Sequence, residues 1–128
     1  MVPGRREMIV GAHCDPTFGA VLTVGDGGKY VEQLPDVRVV MGNATRREVR
    51  RAIGRLRIAP VLDGVRGEAP MDVEALCDVL LALGRLMAAS PGIDSVDLNP
   101  VMLHDAGQGC MAVDAVVVCR GSHAPGDD

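Results

Sequence analysis

The feature that most narrows the possible folds is a pair of apolar runs, "SVDLNPVML" at 95–103 and "CMAVDAVVVC" at 110–119, separated by the turn-like "HDAGQG" at 104–109. They read as strand, turn and strand. If the turn closes near Ala106 and Gly107, residues 99 and 114 lie equally far from its centre, so antiparallel pairing sets Asn99 against Asp114. A slip of one residue would throw one of the two to the other face. An amide oxygen and a carboxylate side by side on one sheet face are hard ligands suited to Mg²⁺, which takes one or two protein groups and fills its octahedron with phosphate oxygens and water. Pro100 keeps the backbone at Asn99 extended. The pattern leaves a second reading open, in which Asp97 and Asn99 merely end a strand and hydrogen bonds satisfy Asp114.

Upstream, "EMIVGAHC" (7–14), the Asp-Pro and Gly chemistry of "DPTFG" (15–19), and "AVLTVG" (20–25) predict a β-hairpin. "GDGGKYVEQL" (25–34) is a glycine-rich loop feeding a short extended piece, and "DVRVVMG" (36–42) is a further strand. Thr45 and Glu48 have capping-box spacing, and Val49, Ala52, Ile53 and Leu56 recur on one face, predicting a helix over 46–57. Its other face carries Arg46, Arg47, Arg50, Arg51 and Arg55, either a solvated surface or a contact for a partner domain or polyphosphate. A second helix is expected over 72–89, with Asp72 near its N-cap, Val73, Leu76, Cys77, Leu80, Leu83 and Met87 on one face, and "SPG" (90–92) stopping it.

Composition closes off several classes of function. The 128 residues suffice for one domain, or a piece of a larger one, and their 48% hydrophobic content can build a core. A net charge of -4 and 2% aromatic residues argue against a nucleic-acid grip, which needs clustered positive charge or stacking platforms. No apolar run approaches the roughly 20 residues that cross a bilayer, and "MVPGRREMIV" lacks a signal-peptide core, so a cytoplasmic protein is expected. The cysteines at 14, 77, 110 and 119 show no C-x-x-C spacing and are expected as reduced core residues.

Read in order, "MVPGRREMIVGAHCDPTFGAVLTVGDGGKYVEQLPDV", "PVLDGVRGEAPMDVEALCDVLLALGRL" and "VDLNPVML…AVDAVV" resemble the C-terminal part of the ATP-grasp domain of NDP-forming acyl-CoA synthetases, the acetate- and succinyl-CoA-synthetase-like family. The resemblance implies an enzyme that couples cleavage of ATP to ADP with formation of an acyl-CoA thioester, through an acyl phosphate and a phosphohistidine. It assigns Asn99 and Asp114 to the Mg²⁺ that bridges ATP phosphates, where the metal neutralises charge and aligns phosphoryl transfer. Glu7, in "REMIVG", matches an acidic position after the nucleotide hinge, there to orient ribose or backbone, or else only to face solvent. Gly27 and Gly28 match a glycine loop that lets backbone approach phosphate or the phosphohistidine segment, and Glu32 matches the glutamate following that loop. Arg66, in "GVRG", matches an arginine for phosphate or interdomain contact, or is a surface arginine in a glycine turn.

The departures bear on activity. The family's preceding ATP-grasp subdomain, with its lysine and phosphate-covering loop, has no counterpart here, nor do the CoA-binding and phosphohistidine domains. Lys29 is the only lysine, and His13, His104 and His123 match no family histidine motif. The expectation is therefore an ATP-grasp C-terminal subdomain over residues 1–120 with a polar flexible tail at 121–128. It would be an α+β unit, a mainly antiparallel twisted sheet with two helices on one face. It would bind ATP or ADP and Mg²⁺ as part of an ADP-forming acyl-CoA ligase, be inactive alone, and need the complementary subdomain and the CoA-binding and ligase domains from elsewhere. A non-catalytic regulatory or interaction module, as in acetyltransferase-fused relatives, is the alternative. The apolar edge where the missing subdomain would dock predicts self-association.

Overall fold

The computed structural model describes residues 6–28, 36–64 and 67–120. Along these the chain forms β1 (Arg6–Asp15), β2 (Gly19–Asp26), β3 (Val37–Met41), α1 (Arg46–Gly54), α2 (Ala59–Leu62), α3 (Val73–Ala89), β4 (Ile93–Leu103), β5 (Cys110–Ala112) and β6 (Ala115–Cys119). The strands make one antiparallel sheet in the order β3-β2-β1-β4, with β5 and β6 both paired along the outer side of β4. The expected hairpin of 7–25 is β1 and β2, closed where Gly19 takes a φ of 76° that a side chain would resist.

Alternation along the strands decides what the sheet buries. Met8, Val10 and Ala12 of β1, Leu22 and Val24 of β2, and Val96, Val101 and Leu103 of β4 form one core with Val49 and Ile53 of α1, Leu62 of α2, and Leu76, Cys77, Leu80, Leu83 and Met87 of α3. All three helices thus lie on one face. No helix of the described residues covers the other face, and none is long and apolar enough to cross a membrane.

α1 begins where its caps dictate. The Glu48 amide donates to Thr45 Oγ1 at 3.2 Å while the Thr45 amide donates to Glu48 Oε1 at 2.8 Å, a complete capping box. It stops at Gly54 instead of running to 57, because the buried Asp36 carboxylate captures the amides of Arg57 at 2.7 Å and Ile58 at 3.0 Å. Those amides can no longer serve the helix, and the chain turns into α2, a single extra turn with proline in its first turn that the two-helix expectation lacked. α3 follows the expected 72–89 closely, with Ala75 N–H donating to Asp72 Oδ1 at 3.0 Å. Gly84, also on its buried face, was not among the expected core positions; it lets the helix approach the carbonyl of Gly42.

The thiols are all free, but only one is a core residue. Cys77 is buried, Cys14 and Cys110 are half-buried, and Cys119, expected inside, is exposed because it ends the edge strand β6. Burial pushes the thiols of Cys77 and Cys110 above their ordinary values.

Candidate functional site

The bare face of the sheet collects the polar residues of β1, β2 and β4. Along β1 it carries Glu7, Ile9, Gly11 and His13, the positions that alternate with the buried Met8, Val10 and Ala12. Gly11 sits opposite Thr23 of β2 and Asp97 of β4. A Cβ there would stand 3.0 Å from Thr23 Oγ1 and 3.8 Å from Asp97 Oδ1, so the glycine opens a small polar hollow at mid-sheet. Sequence reasoning passed over this trio, although a lone glycine inside a strand run is the usual sign of close approach.

One register step further lies the irregularity that presents Asn99. Met8 pairs with Val101 and Val10 with Leu98, so Ile9 alone opposes both Asn99 and Pro100, a β-bulge with a cis peptide between the two. Leu98 and Val101 both turn to the core, and Asn99 is exposed between them. On the other side of β4 the register is Leu98 to Ala115 and Val101 to Ala112, which sets Asn99 opposite Asp114. Asn99 N–H donates to the Asp114 carbonyl at 3.2 Å and Val113 N–H to the Pro100 carbonyl at 2.9 Å. The expected strand over 110–119 is therefore two strands: β5 and β6 part at Val113 and Asp114 to follow the bulge in β4.

Asp114 is exposed, and its Oδ1 accepts the amide of Ala115 at 2.9 Å. No described group of three or more His, Cys, Asp or Glu residues forms a metal cluster. The donor set here is an amide and a carboxylate, with Asp97 one position along the same face of β4. That is too few for a self-sufficient cation site and suited to one completed by phosphate and water.

The hairpin holding Asn99 and Asp114 is clamped at its turn. Asp72, besides capping α3, accepts through Oδ2 the amides of Gly107 at 3.1 Å and Gly109 at 2.8 Å. Its own amide donates to the His104 carbonyl at 2.8 Å, and Ala106 N–H donates to Pro70 at 2.8 Å. His104 is thus placed by its backbone at the foot of the turn.

Glu7, Gly27 and Gly28 meet at the start of β1, the end that pairs with Met102 and Leu103 of β4 beside the clamped turn. Gly27 N–H donates to the Glu7 carbonyl at 2.9 Å, and Gly28 N–H to Asp26 Oδ1 at 2.9 Å. Asp26, buried, also holds Arg6 at 2.9 Å. Glu7 itself is exposed on the bare face. Glu32, Arg66, His123 and the tail at 121–128 lie outside the described residues.

Residues 1–119 match the model of a family described as an ATP-grasp domain. The chain is 43% identical over 112 residues to a trans-feruloyl-CoA synthase from an unknown prokaryotic organism, covering 88% of this chain and 16% of that protein. It is 39% identical over 122 residues to the β subunit of the ADP-forming acetate–CoA ligase II of Pyrococcus furiosus, covering 94% of this chain and 52% of the subunit. The structure superposes with a TM-score of 0.84 and 33% identity on an acetyl-coenzyme A synthetase of Ca. Korarchaeum cryptofilum solved with coenzyme A and Mg-AMPPCP, covering 94% of this chain and 55% of that one. The chain thus spans about half the length of the β-subunit relative and about a sixth of the longer one.

Proposed function

The chain belongs to the ATP-grasp domain family, and on that footing we propose that it forms one half of the nucleotide site of an ADP-forming acyl-CoA synthetase, inactive by itself. The observation that carries this reading is the cross-strand pair Asn99 and Asp114, hydrogen-bonded through the backbone and exposed on the one sheet face that no described helix covers.

In this reading the Asn99 amide oxygen and the Asp114 carboxylate would hold Mg²⁺, with Asp97 one position along the same face. When bound, the ion would offset the charge of the phosphate oxygens and hold them for in-line transfer. The chain's own work is positional: the bulge turns Asn99 outward without disturbing the core, and Asp72 fixes the hairpin that brings Asp114 to it. Glu7 faces the ribose end of the nucleotide. Gly27 and Gly28, whose amides are already engaged, contribute by leaving room rather than by donating. Glu32 and Arg66 complete the phosphate contacts on the strength of the resemblance alone. The complementary ATP-grasp subdomain and the CoA-binding and ligase domains come from another region or polypeptide, and the acyl phosphate and phosphohistidine chemistry takes place there. The reading puts the protein in the cytoplasm, which suits its four free cysteines.

Calorimetric titration with ADP and ATP, with and without Mg²⁺, tests the half-site. Magnesium-dependent binding that disappears in both Asn99→Ala and Asp114→Ala is the expected result. Magnesium-dependent binding that survives both substitutions would overturn the assignment, as would full activity of the double variant once assembled with its complementary domains.

A further inference from the structure

The arginines of α1 divide into two sets with different neighbours. Arg46 and Arg50 reach across to α3: Arg46 pairs with Asp78 and, at 3.1 Å, with Glu74, while Arg50 holds Glu74 through two hydrogen bonds of 2.9 and 2.8 Å. These two brace one helix on the other. Arg51 and Arg55 point to the opposite flank, where with Arg38 of β3 they line a groove of about 510 Å³ that also includes Val40 and Ala52.

Three guanidiniums therefore share one concavity with a single carboxylate, Glu48. That carboxylate is turned toward Thr45, whose amide and hydroxyl donate to its Oε1, and its charge offsets that of Arg51, leaving the groove an excess of two positive charges. Arg38 donates to the carbonyl of Arg55 at 3.1 Å, which fixes it at the end of α1 and covers an oxygen that would repel an anion. Arg55 makes no ion pair among the described residues. The chain as a whole carries a net charge of -4, so the arginines of this groove stand against an acidic background.

We propose that the groove between β3 and α1 binds an oligophosphate anion, a run of two or three linked phosphates, at a place separate from the Asn99 and Asp114 half-site. The chemistry favours phosphate over a carboxylate peptide on two grounds. Planar guanidinium forks engage adjacent phosphate oxygens in pairs, so three of them match a short, densely charged chain. The volume is that of a small-molecule site rather than of an extended peptide interface. The anion is either free inorganic polyphosphate or the phosphate tail of a nucleotide. The inference stands apart from the proposed function and survives its failure.

Titration of the full chain with inorganic tripolyphosphate in the absence of Mg²⁺ tests it, using the Asn99→Ala, Asp114→Ala background to remove the other site. Saturable binding is expected, weakened at least about tenfold by Arg51→Gln with Arg55→Gln and unchanged by Arg47→Gln. Arg38→Gln, read beside thermal melting, provides a second variant in case the double substitution unfolds the chain. ATP binding the same background more tightly than tripolyphosphate identifies a nucleotide tail as the source, and equal binding identifies the phosphates alone. Three results would overturn the proposal: no saturable binding, equal loss in Arg47→Gln, or a hexaglutamate peptide that competes as well as tripolyphosphate.

Discussion

Asp72 does with one carboxylate what usually takes two residues. One oxygen caps α3 and the other takes the amides of Gly107 and Gly109, so the helix start and the hairpin turn are tied together. Asp72→Ala removes all three bonds, and a loss of roughly 2–3 kcal/mol in urea-midpoint stability is expected. Asp72→Asn keeps an accepting oxygen for the cap and should recover part of that loss. At this scale the sequence was informative about pairing and silent about shape. The equal distance of Asn99 and Asp114 from Ala106 and Gly107 was countable, and the register of β4 with β5 and β6 agrees with the count. The doubling of Asn99 and Pro100 against Ile9 could not be counted, because a bulge depends on the third strand, β1, whose alignment no local pattern states. Glu32 and Arg66 rest on the resemblance alone.

The starts of α1 and α3 were legible because each announces itself locally, whereas α2 was not expected. Thr45 with Glu48 and Asp72 with the apolar repeat behind it needed no tertiary information, whereas the early stop of α1 came from Asp36, a residue ten positions before the helix that reaches the amides only after folding. The contacts of α1 and α3 have two consequences. The Glu74 carboxyl is held below its ordinary range, chiefly by its hydrogen bond to Arg50, and the Glu48 carboxyl is held below it by the Thr45 amide and hydroxyl. Depressed carboxyls stabilise the folded state above their unfolded pKa and lose that contribution as pH falls through the folded value. Melting temperature should therefore drop as pH falls below the ordinary glutamate range, and Glu74→Gln should flatten that slope, an effect that added salt also weakens because these groups face solvent. The second consequence concerns Gly84. Helix propensity alone would make Gly84→Ala stabilising by about 1 kcal/mol. The added Cβ meets the Gly42 carbonyl, so destabilisation of roughly 1–3 kcal/mol is expected instead, and denaturant unfolding distinguishes the signs.

The molecule as a whole is finished on one side and open on the other. The helices close one face over a continuous core, while Val39 of β3 is 60% exposed and Val116, Val117 and Val118 of β6 are 55%, 51% and 46% exposed. β6 pairs only with β4 among the described residues, and it carries neither lysine nor proline to discourage a further strand. Concentration-dependent association is expected in sedimentation experiments on the isolated chain, and Val117→Lys should suppress it with the fold intact. An apolar edge was expected where the missing subdomain would dock, but which strand would carry it was not readable, since 110–119 looked like one apolar run and only the sheet order makes it the border. The bulge in β4 has a further consequence, for how the chain can change in length. Its extra residue is met on the other side by the step at Val113 and Asp114, so β1 sees two residues against one while β5 and β6 stay matched. Losing Pro100 alone would regularise one border of β4 and misalign the other, and only the simultaneous loss of Val113 would bring both back into step. Deletions here are tolerable only in couples, which ties together two segments more than ten residues apart, while the turn between them is held by Asp72.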